Sequence, residues 1–222
     1  MNIGGFGETE KLIICYTLYR LDPLMENQLL PLFPLQIMLF PGEIAPLLIF
    51  EPRYRQLIED CEKEKITFGI TYINNVQLFH IGTEAKLHRV LKKYENGTSD
   101  IMVEALNFFH LKEFKKVMPG KLYSGGVIES IEVENKMATT GLKKNYQKFV
   151  QLIKNQILDD GELDSIKTLD IVKKINLPSV KKFQMLNLEN DKSRQKFLSD
   201  ELKLMFKIRE QENQIKGKFY LN

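Results

Sequence analysis

The strongest structural signals of the chain lie in residues 30–55, whose sequence is LPLFPLQIMLFPGEIAPLLIFEPRYR. Pro31 and Pro34 bias the residues before them toward extended backbone, so the start of this stretch is predicted to be a strand. Pro41 and Gly42 form a dipeptide that is typical of a turn, and apolar runs lie on both sides of it. The stretch therefore predicts two extended apolar segments separated by a turn.

The end of the same stretch predicts a helix that begins near Pro52. A proline suits the first helical turn because its missing N–H has no helical partner to lose there. Tyr54, Leu57, Ile58 and Cys61 then follow at helical spacing and form one apolar stripe. Because Cys61 belongs to this stripe, we interpret it as a core residue and not as a nucleophile.

Strand signals continue to about residue 134. The dipeptide Asn96-Gly97 favours a tight hairpin, and Ile101, Val103 and Ala105 then alternate with other residues as in a half-buried strand. Further strands are predicted over 68–73, 83–94 and 122–133. About six short strands with one helix fit a small closed or half-closed β-barrel.

The periodicity changes near Thr139. Leu142, Tyr146 and Phe149 lie at helical spacing, and threonine is available as an N-cap. Later apolar positions predict further helices, of which the last is long. The second part of the chain is therefore predicted to be helical.

These patterns predict three regions: an N-terminal extension at residues 1–28, a β-rich barrel subdomain at 29–138 and a helical subdomain at 139–222. The extension lacks periodicity, and Met25 stands directly before the structured motif. We expect the first 24 residues or so to be a loose tail, or to lie upstream of the native start.

Composition favours an ordinary globular protein. Hydrophobic residues make up 43% of the chain and charged residues 27%, with a net charge of +3 that does not by itself predict a polyanionic partner. The two cysteines do not form a disulfide framework, and no apolar run is long enough to span a bilayer. We therefore expect a cytoplasmic protein.

Known catalytic and cofactor motifs are not found in the sequence. Gly120-Lys121 lacks both the earlier glycine and the following hydroxyl residue of a phosphate-binding loop. No pair among His80, His88 and His110 has the helical spacing of a zinc site. We predict no catalytic residue, no cofactor and no metal ligand.

Residues 31–55, together with Phe68-Gly69-Ile70 and Ile81-Gly82-Thr83, closely resemble the N-terminal substrate-binding domain of Lon-type ATP-dependent proteases, which also occurs as a stand-alone protein in bacteria. The resemblance covers roughly residues 29–205 and implies an α+β fold: a PUA-like β pseudo-barrel followed by a C-terminal helical bundle. It also implies a role in engaging unfolded or tagged polypeptides, without an ATPase or a peptidase. The matching positions, which we interpret as structural, are Pro31, Phe33, Pro34, Pro41, Gly42, Phe50, Glu51, Pro52, Arg53, Tyr54, Arg55, Gly69, Gly82 and Thr83.

The chain departs from the family pattern in the strand at 105–109. Relatives usually have a glycine, often followed by arginines, where this chain has an apolar and aromatic run. Leu106, Phe108 and Phe109 are therefore our candidate residues for binding a polypeptide client. From Glu51 to Arg55 we expect a connection between helix and barrel, in which the arginines brace neighbouring strands.

Two alternatives remain open at this stage. The PUA-like fold and the lysine-rich helical region suggest an RNA-binding module, in which Lys143, Lys144, Tyr146 and Lys148 would combine charge with base stacking. The protein could instead recognise a dedicated folded partner, a separate protease or, weakly, a second copy of itself. The leading prediction is a non-catalytic polypeptide-binding module.

Overall fold

A computed structural model describes residues 28–73, 78–154 and 158–219. The described chain divides into two compact units, with the division between Glu132 and Val133. The predicted N-terminal extension lies outside the described residues except for Gln28, with which the first strand begins. No described helix is both long and apolar enough to cross a membrane.

The first unit consists of six strands and one helix, which confirms the predicted β-rich architecture. In chain order these are β1 (Gln28–Leu35), β2 (Ile44–Ile49), α1 (Pro52–Glu64), β3 (Phe68–Ile73), β4 (Leu78–Lys93), β5 (Ser99–Lys115) and β6 (Ser124–Ile131). The sheet order is β2-β5-β4-β3-β1-β6, and β5 also pairs with β6. Five strands therefore close into a ring, while β2 is an additional strand that pairs with β5 alone within the described residues.

The long strand β5 belongs to two parts of the sheet. Its first half pairs with β2 and with the second half of β4, whereas its second half pairs with β6 and with the first half of β4. Register shifts interrupt both of its long pairings. Such bulges bend a strand and increase its twist, which allows one strand to serve both parts.

Helix α1 fits against the barrel through its predicted apolar stripe. Tyr54, Leu57, Ile58 and Cys61 are all buried, and Tyr54 stacks on Phe33 of β1 with ring centroids 3.9 Å apart. The helix ends at Lys65, which has left-handed backbone and whose N–H donates to the carbonyl of Cys61. The Asn96-Gly97 hairpin is also confirmed, and Gly97 has the positive φ that such a turn requires.

The second unit is helical, which confirms the predicted change of character. It contains α2 (Thr140–Phe149), which continues as a π-helical turn (Val150–Lys154), and then α3 (Asp160–Ser165), α4 (Thr168–Lys174), α5 (Ser179–Leu186) and α6 (Asp191–Phe219).

Residues 133–138 belong to this helical unit, so the observed division falls a few residues before the predicted one. The Ala138 N–H donates to the Ile166 carbonyl, and the Thr168 N–H donates to the Lys136 carbonyl, each at 3.0 Å. These backbone bonds tie the segment before α2 to the segment before α4.

Candidate functional site

The helix-initiating block from Glu51 to Arg55 buries Tyr54 and leaves Pro52 and Arg53 exposed. Arg53 pairs with its own neighbour Glu51, since its Nη2 lies 2.7 Å from Glu51 Oε2. Arg55 donates from Nε to the Phe50 carbonyl at 2.9 Å. The expectation that both arginines brace neighbouring strands is wrong for Arg53, whose ion pair is local.

A buried carboxylate that sequence reasoning missed makes a polar connection between helix and barrel. Asp60 on α1 accepts hydrogen bonds from Lys121 Nζ and from the Tyr123 hydroxyl, both at 2.8 Å. Asp60 is buried beside Leu57 and Cys61. An acidic residue among the apolar positions of an amphipathic helix is the signal that could have identified it, because a buried charge requires partners.

The matching glycines and threonine are packing residues. A Cβ on Gly82 would lie 2.4 Å from the Phe109 ring, and one on Gly69 would lie 2.8 Å from the same ring. The Thr83 hydroxyl donates to the Leu39 carbonyl at 2.7 Å. The two glycines therefore leave room for the Phe109 ring against β3 and β4.

Two of the three predicted client-binding residues, Phe108 and Phe109, are buried, and the prediction is wrong for both. Phe109 is fully buried and Phe108 is 3% exposed. Phe109 packs over the two glycines inside the barrel. The Phe108 and Phe40 rings pack edge to face, with their centroids 5.1 Å apart. Leu106 is half-buried at the point where the β4–β5 register shifts.

Exposed apolar side chains occur instead on β2. Ile44 is 47% exposed and Leu48 is 57% exposed, and Pro46 between them is also exposed. The alternate residues Ala45 and Leu47 are packed against the core. A strand that is apolar at every position buries one face and leaves the other as an apolar stripe, because successive side chains point to opposite faces.

The free edge of β2 is interrupted by its proline. The Ala105 N–H donates to the Glu43 carbonyl, so from the antiparallel register Ala45 and Leu47 direct their backbone groups toward β5. Ile44, Pro46 and Leu48 direct theirs away from β5. Pro46 has no N–H, and a proline at such a position is a recognised protection against the addition of a further strand.

Pairing extends this stripe into a three-stranded surface, which we call the outer face. Directly paired residues share a face of the sheet. The outer face therefore has three rows: the apolar row Ile44, Pro46 and Leu48 on β2; the mixed row Glu104, Met102 and Asp100 on β5; and the basic row Lys86, Arg89 and Lys92 on β4.

The two carboxylates of the mixed row already have protein partners. Glu104 lies 3.1 Å from Lys86 Nζ and 3.3 Å from His88 Nδ1. The hydrogen bond from Lys86 lowers the pKa of Glu104, and the positive charges of Lys86 and of a protonated His88 act in the same direction. Asp100 accepts a hydrogen bond from the exposed Tyr94 hydroxyl at 2.6 Å, which raises the pKa of Tyr94.

The positive charges of the basic row have fewer protein partners than the carboxylates of the mixed row. Lys92 lies over the Tyr94 ring, 4.7 Å from its centroid. Arg89 is exposed, and no hydrogen bond or ion pair joins its side chain to another residue within the described part of the chain. The outer face thus grades from apolar on β2 to positively charged on β4.

Side chains that could support catalysis or metal binding are placed elsewhere and are not assembled. Burial raises the pKa of the Cys61 thiol to about 12, and the neighbouring Asp60 and Glu64 carboxylates add to this effect. A thiol with this pKa is a poor nucleophile at neutral pH. In the segments that the structure describes, no group of three or more His, Cys, Asp or Glu residues is placed to hold a metal ion.

The aromatic residue of the RNA-binding alternative is buried. Tyr146 is 1% exposed, so it cannot stack on a base. Lys143 donates from Nζ to the carbonyl of Asp164 at 2.9 Å. The lysine-rich face of α2 therefore offers charge without the stacking surface that the alternative requires.

Comparison with known proteins gives a consistent result. Residues 29–215 match the model of the ATP-dependent protease La (LON) substrate-binding domain family. The fold is similar to a Lon N-terminal domain protein from Xanthomonas campestris, with a TM-score of 0.58, 19% identity, and coverage of 77% of this chain and 96% of that one. It is also similar to the N-terminal domain of the Mycobacterium avium complex Lon protease, with a TM-score of 0.52, 16% identity, and coverage of 79% and 98%.

Over a shorter stretch, the sequence is similar to the protein cereblon from Gallus gallus, with 26% identity over 103 residues. The match covers 45% of this chain and 22% of cereblon, so the chain corresponds to under a quarter of that protein.

Proposed function

The chain belongs to the ATP-dependent protease La (LON) substrate-binding domain family, and we propose that it is a non-catalytic polypeptide-binding module whose client site is the outer face. In this proposal it acts as an adaptor or chaperone-like binder of unfolded or tagged polypeptides. In this proposal, any degradation of a bound client is carried out by a separate protease.

The exposed apolar row of β2 is the observation that carries the proposal. Unfolded clients present hydrophobic segments, and a contiguous apolar surface rimmed by polar groups is the kind of surface that binds them. Ile44, Pro46 and Leu48 supply the apolar contact, and Met102 extends it onto β5. Asp100 and Glu104 provide the polar rim on either side of Met102.

The proline on β2 favours recognition by side chains. Addition of a client strand to the sheet edge needs a continuous series of backbone donors and acceptors. Pro46 removes a donor from the middle of that edge. A client therefore gains more from placing apolar side chains on the outer face than from pairing its backbone with β2.

The direct test is a fluorescence anisotropy titration of the full chain against a labelled, permanently unfolded polypeptide. We expect Leu48→Thr to weaken binding about fivefold to tenfold, because a half-exposed leucine contributes part of the about 1.5–3 kcal/mol gained on complete burial. Threonine keeps a side chain that suits a strand. Leu122→Thr is the matched control, since Leu122 is 59% exposed but lies outside the outer face.

Equal weakening by both substitutions, or by neither, would remove the outer face as the client site. A parallel titration with labelled RNA at low and moderate salt separates the main alternative. Binding to RNA alone, with an affinity that falls steeply as salt rises, would indicate a phosphate-driven contact and contradict the proposed function.

A further inference from the structure

The outer face changes from apolar side chains on β2 to basic side chains on β4, and this arrangement favours particular polypeptides. Its apolar row and its basic row are separated by β5, so the two kinds of contact lie at a fixed distance from each other. Neighbouring strands are about 4.8 Å apart, which places the two rows about 10 Å apart.

We propose that the outer face selects extended segments in which an apolar side chain and a carboxylate lie two or four residues apart, so that both side chains point toward the outer face. This inference rests on the proposed function and specifies its client class. An extended chain advances about 3.3 Å per residue and its side chains alternate between two faces. Two side chains on one face are therefore about 7 or 13 Å apart, and the spacing of about 10 Å between the two rows lies between these values. The apolar side chain contacts the apolar row near Pro46, and the carboxylate pairs with Arg89, which lies across Met102 from Pro46.

The charges around Arg89 support a carboxylate as its partner. Glu104 is engaged by Lys86, and Asp100 is engaged by the Tyr94 hydroxyl. Neither acidic side chain of the mixed row forms an ion pair with Arg89. An arginine guanidinium matches a carboxylate with two parallel N–H donors, which gives directional as well as electrostatic recognition.

The β4 bulges are what create the basic row. Along β4 the pairing with β5 shifts between Leu87 and Arg89, and again between Val90 and Lys92. Without these insertions, strict alternation would turn Arg89 to the opposite face from Lys86. The two shifts bring Lys86, Arg89 and Lys92 to one face while Leu87 and Val90 pack against the core.

The test compares two labelled peptides that share an apolar block and differ in one residue. One peptide has Glu two residues from the block, and the other has Gln at the same place; each pair is made with the residue before and after the block. We expect the Glu peptide to bind about threefold to fivefold more tightly in one of these orientations, as surface ion pairs contribute modestly. In about 1 M salt, where the Debye length falls to about 3 Å, the advantage should disappear.

Variants assign the advantage to the basic row. Arg89→Gln should abolish the preference for Glu while leaving the affinity for the Gln peptide almost unchanged. Lys116→Gln is the control, because it removes an exposed positive charge that lies outside the outer face. Loss of the preference in both variants would attribute it to net charge and overturn the inference.

The outcomes separate this inference from the proposed function. Equal affinities for the Glu and Gln peptides overturn the inference alone, whereas failure of both peptides to bind the folded protein overturns the proposed function with it. A dimer that dissociates on Leu48→Thr substitution would identify a second copy of the chain as the occupant. RNA binding that is lost on Arg89→Gln substitution would identify a phosphate polymer instead, and either result contradicts the inference.

Discussion

Two apolar strand segments of the barrel differ in what surrounds them. In β5, Phe109 faces the glycines of β3 and β4, and Phe108 is covered by Phe40 from the segment between β1 and β2. In β2, Ile44 and Leu48 have no comparable cover and remain about half exposed. The difference shows that the elements packed against a strand within the described part of the chain, and not its hydrophobicity, determine whether its apolar side chains are exposed.

Truncation of the buried segment should have the largest effect on stability. Phe109→Ala is expected to lower the free energy of unfolding by about 3–5 kcal/mol, because it removes a fully buried ring and leaves a cavity. Urea denaturation measures this directly. Phe114→Ala is the matched control on the same strand; Phe114 is 45% exposed, and we expect a loss below about 1 kcal/mol.

If the two substitutions proved equally destabilising, the assignment of Phe109 to the core and of Phe114 to the surface would be incorrect. A folded Phe109→Ala protein should also keep most of its affinity for an unfolded polypeptide. Selective loss of that affinity would indicate that Phe109 does contact the client.

Adding a methyl group beneath the buried Phe109 ring should have the next largest effect on stability. In Gly82→Ala the new methyl group would lie 2.4 Å from the Phe109 ring and 2.7 Å from the Ile70 carbonyl oxygen. The backbone oxygen cannot move aside as a flexible side chain could, so we expect a loss of about 1–3 kcal/mol by thermal or urea unfolding.

Gly141→Ala is the matched control for this substitution. Gly141 lies in α2 with no atom within 4 Å of its added Cβ. Replacing a helical glycine there should raise stability by up to about 1 kcal/mol. A neutral Gly82→Ala would show that the close contact with Phe109 does not hold in solution.

The sequence was sufficient to predict the fold because its strongest signals are local. The prolines at 31 and 34, the turn at Pro41-Gly42 and the apolar stripe of α1 each specify an element without reference to distant residues. The family resemblance over residues 31–55 then gave the arrangement of these elements. The α+β fold, the six strands and the helical second unit were predicted on that basis.

The site was not predictable in the same way because it depends on non-local pairing. Sequence shows that both β2 and the 105–109 segment are apolar, but the ring closure that buries one and exposes the other joins residues far apart in the chain. The basic row depends on two bulges in β4, which no local pattern identifies. Asp60 was missed for the related reason that its partners, Lys121 and Tyr123, lie in a different part of the chain.

A smaller effect is expected on the exposed side of the family block. Arg53→Ala should lower stability by no more than about 1 kcal/mol, because the side chain is half exposed and its ion pair with Glu51 is local. Part of that loss comes from its position over the Tyr54 ring, at 4.6 Å. A loss above about 2 kcal/mol in urea denaturation would show that the block braces the barrel after all.

The smallest expected effect on stability is at the proposed client site itself. Leu48→Thr should change the free energy of unfolding by less than about 0.5 kcal/mol, because the residue is already 57% exposed and threonine suits a strand. The same substitution is expected to weaken client binding severalfold. Leu48→Thr should therefore lower the affinity for a client but not the stability, whereas Phe109→Ala should lower the stability but not the affinity. The two effects differ because folding does not require the exposed apolar side chains of β2. If Leu48→Thr lowered both stability and binding, the β2 stripe would be part of the core and not a site.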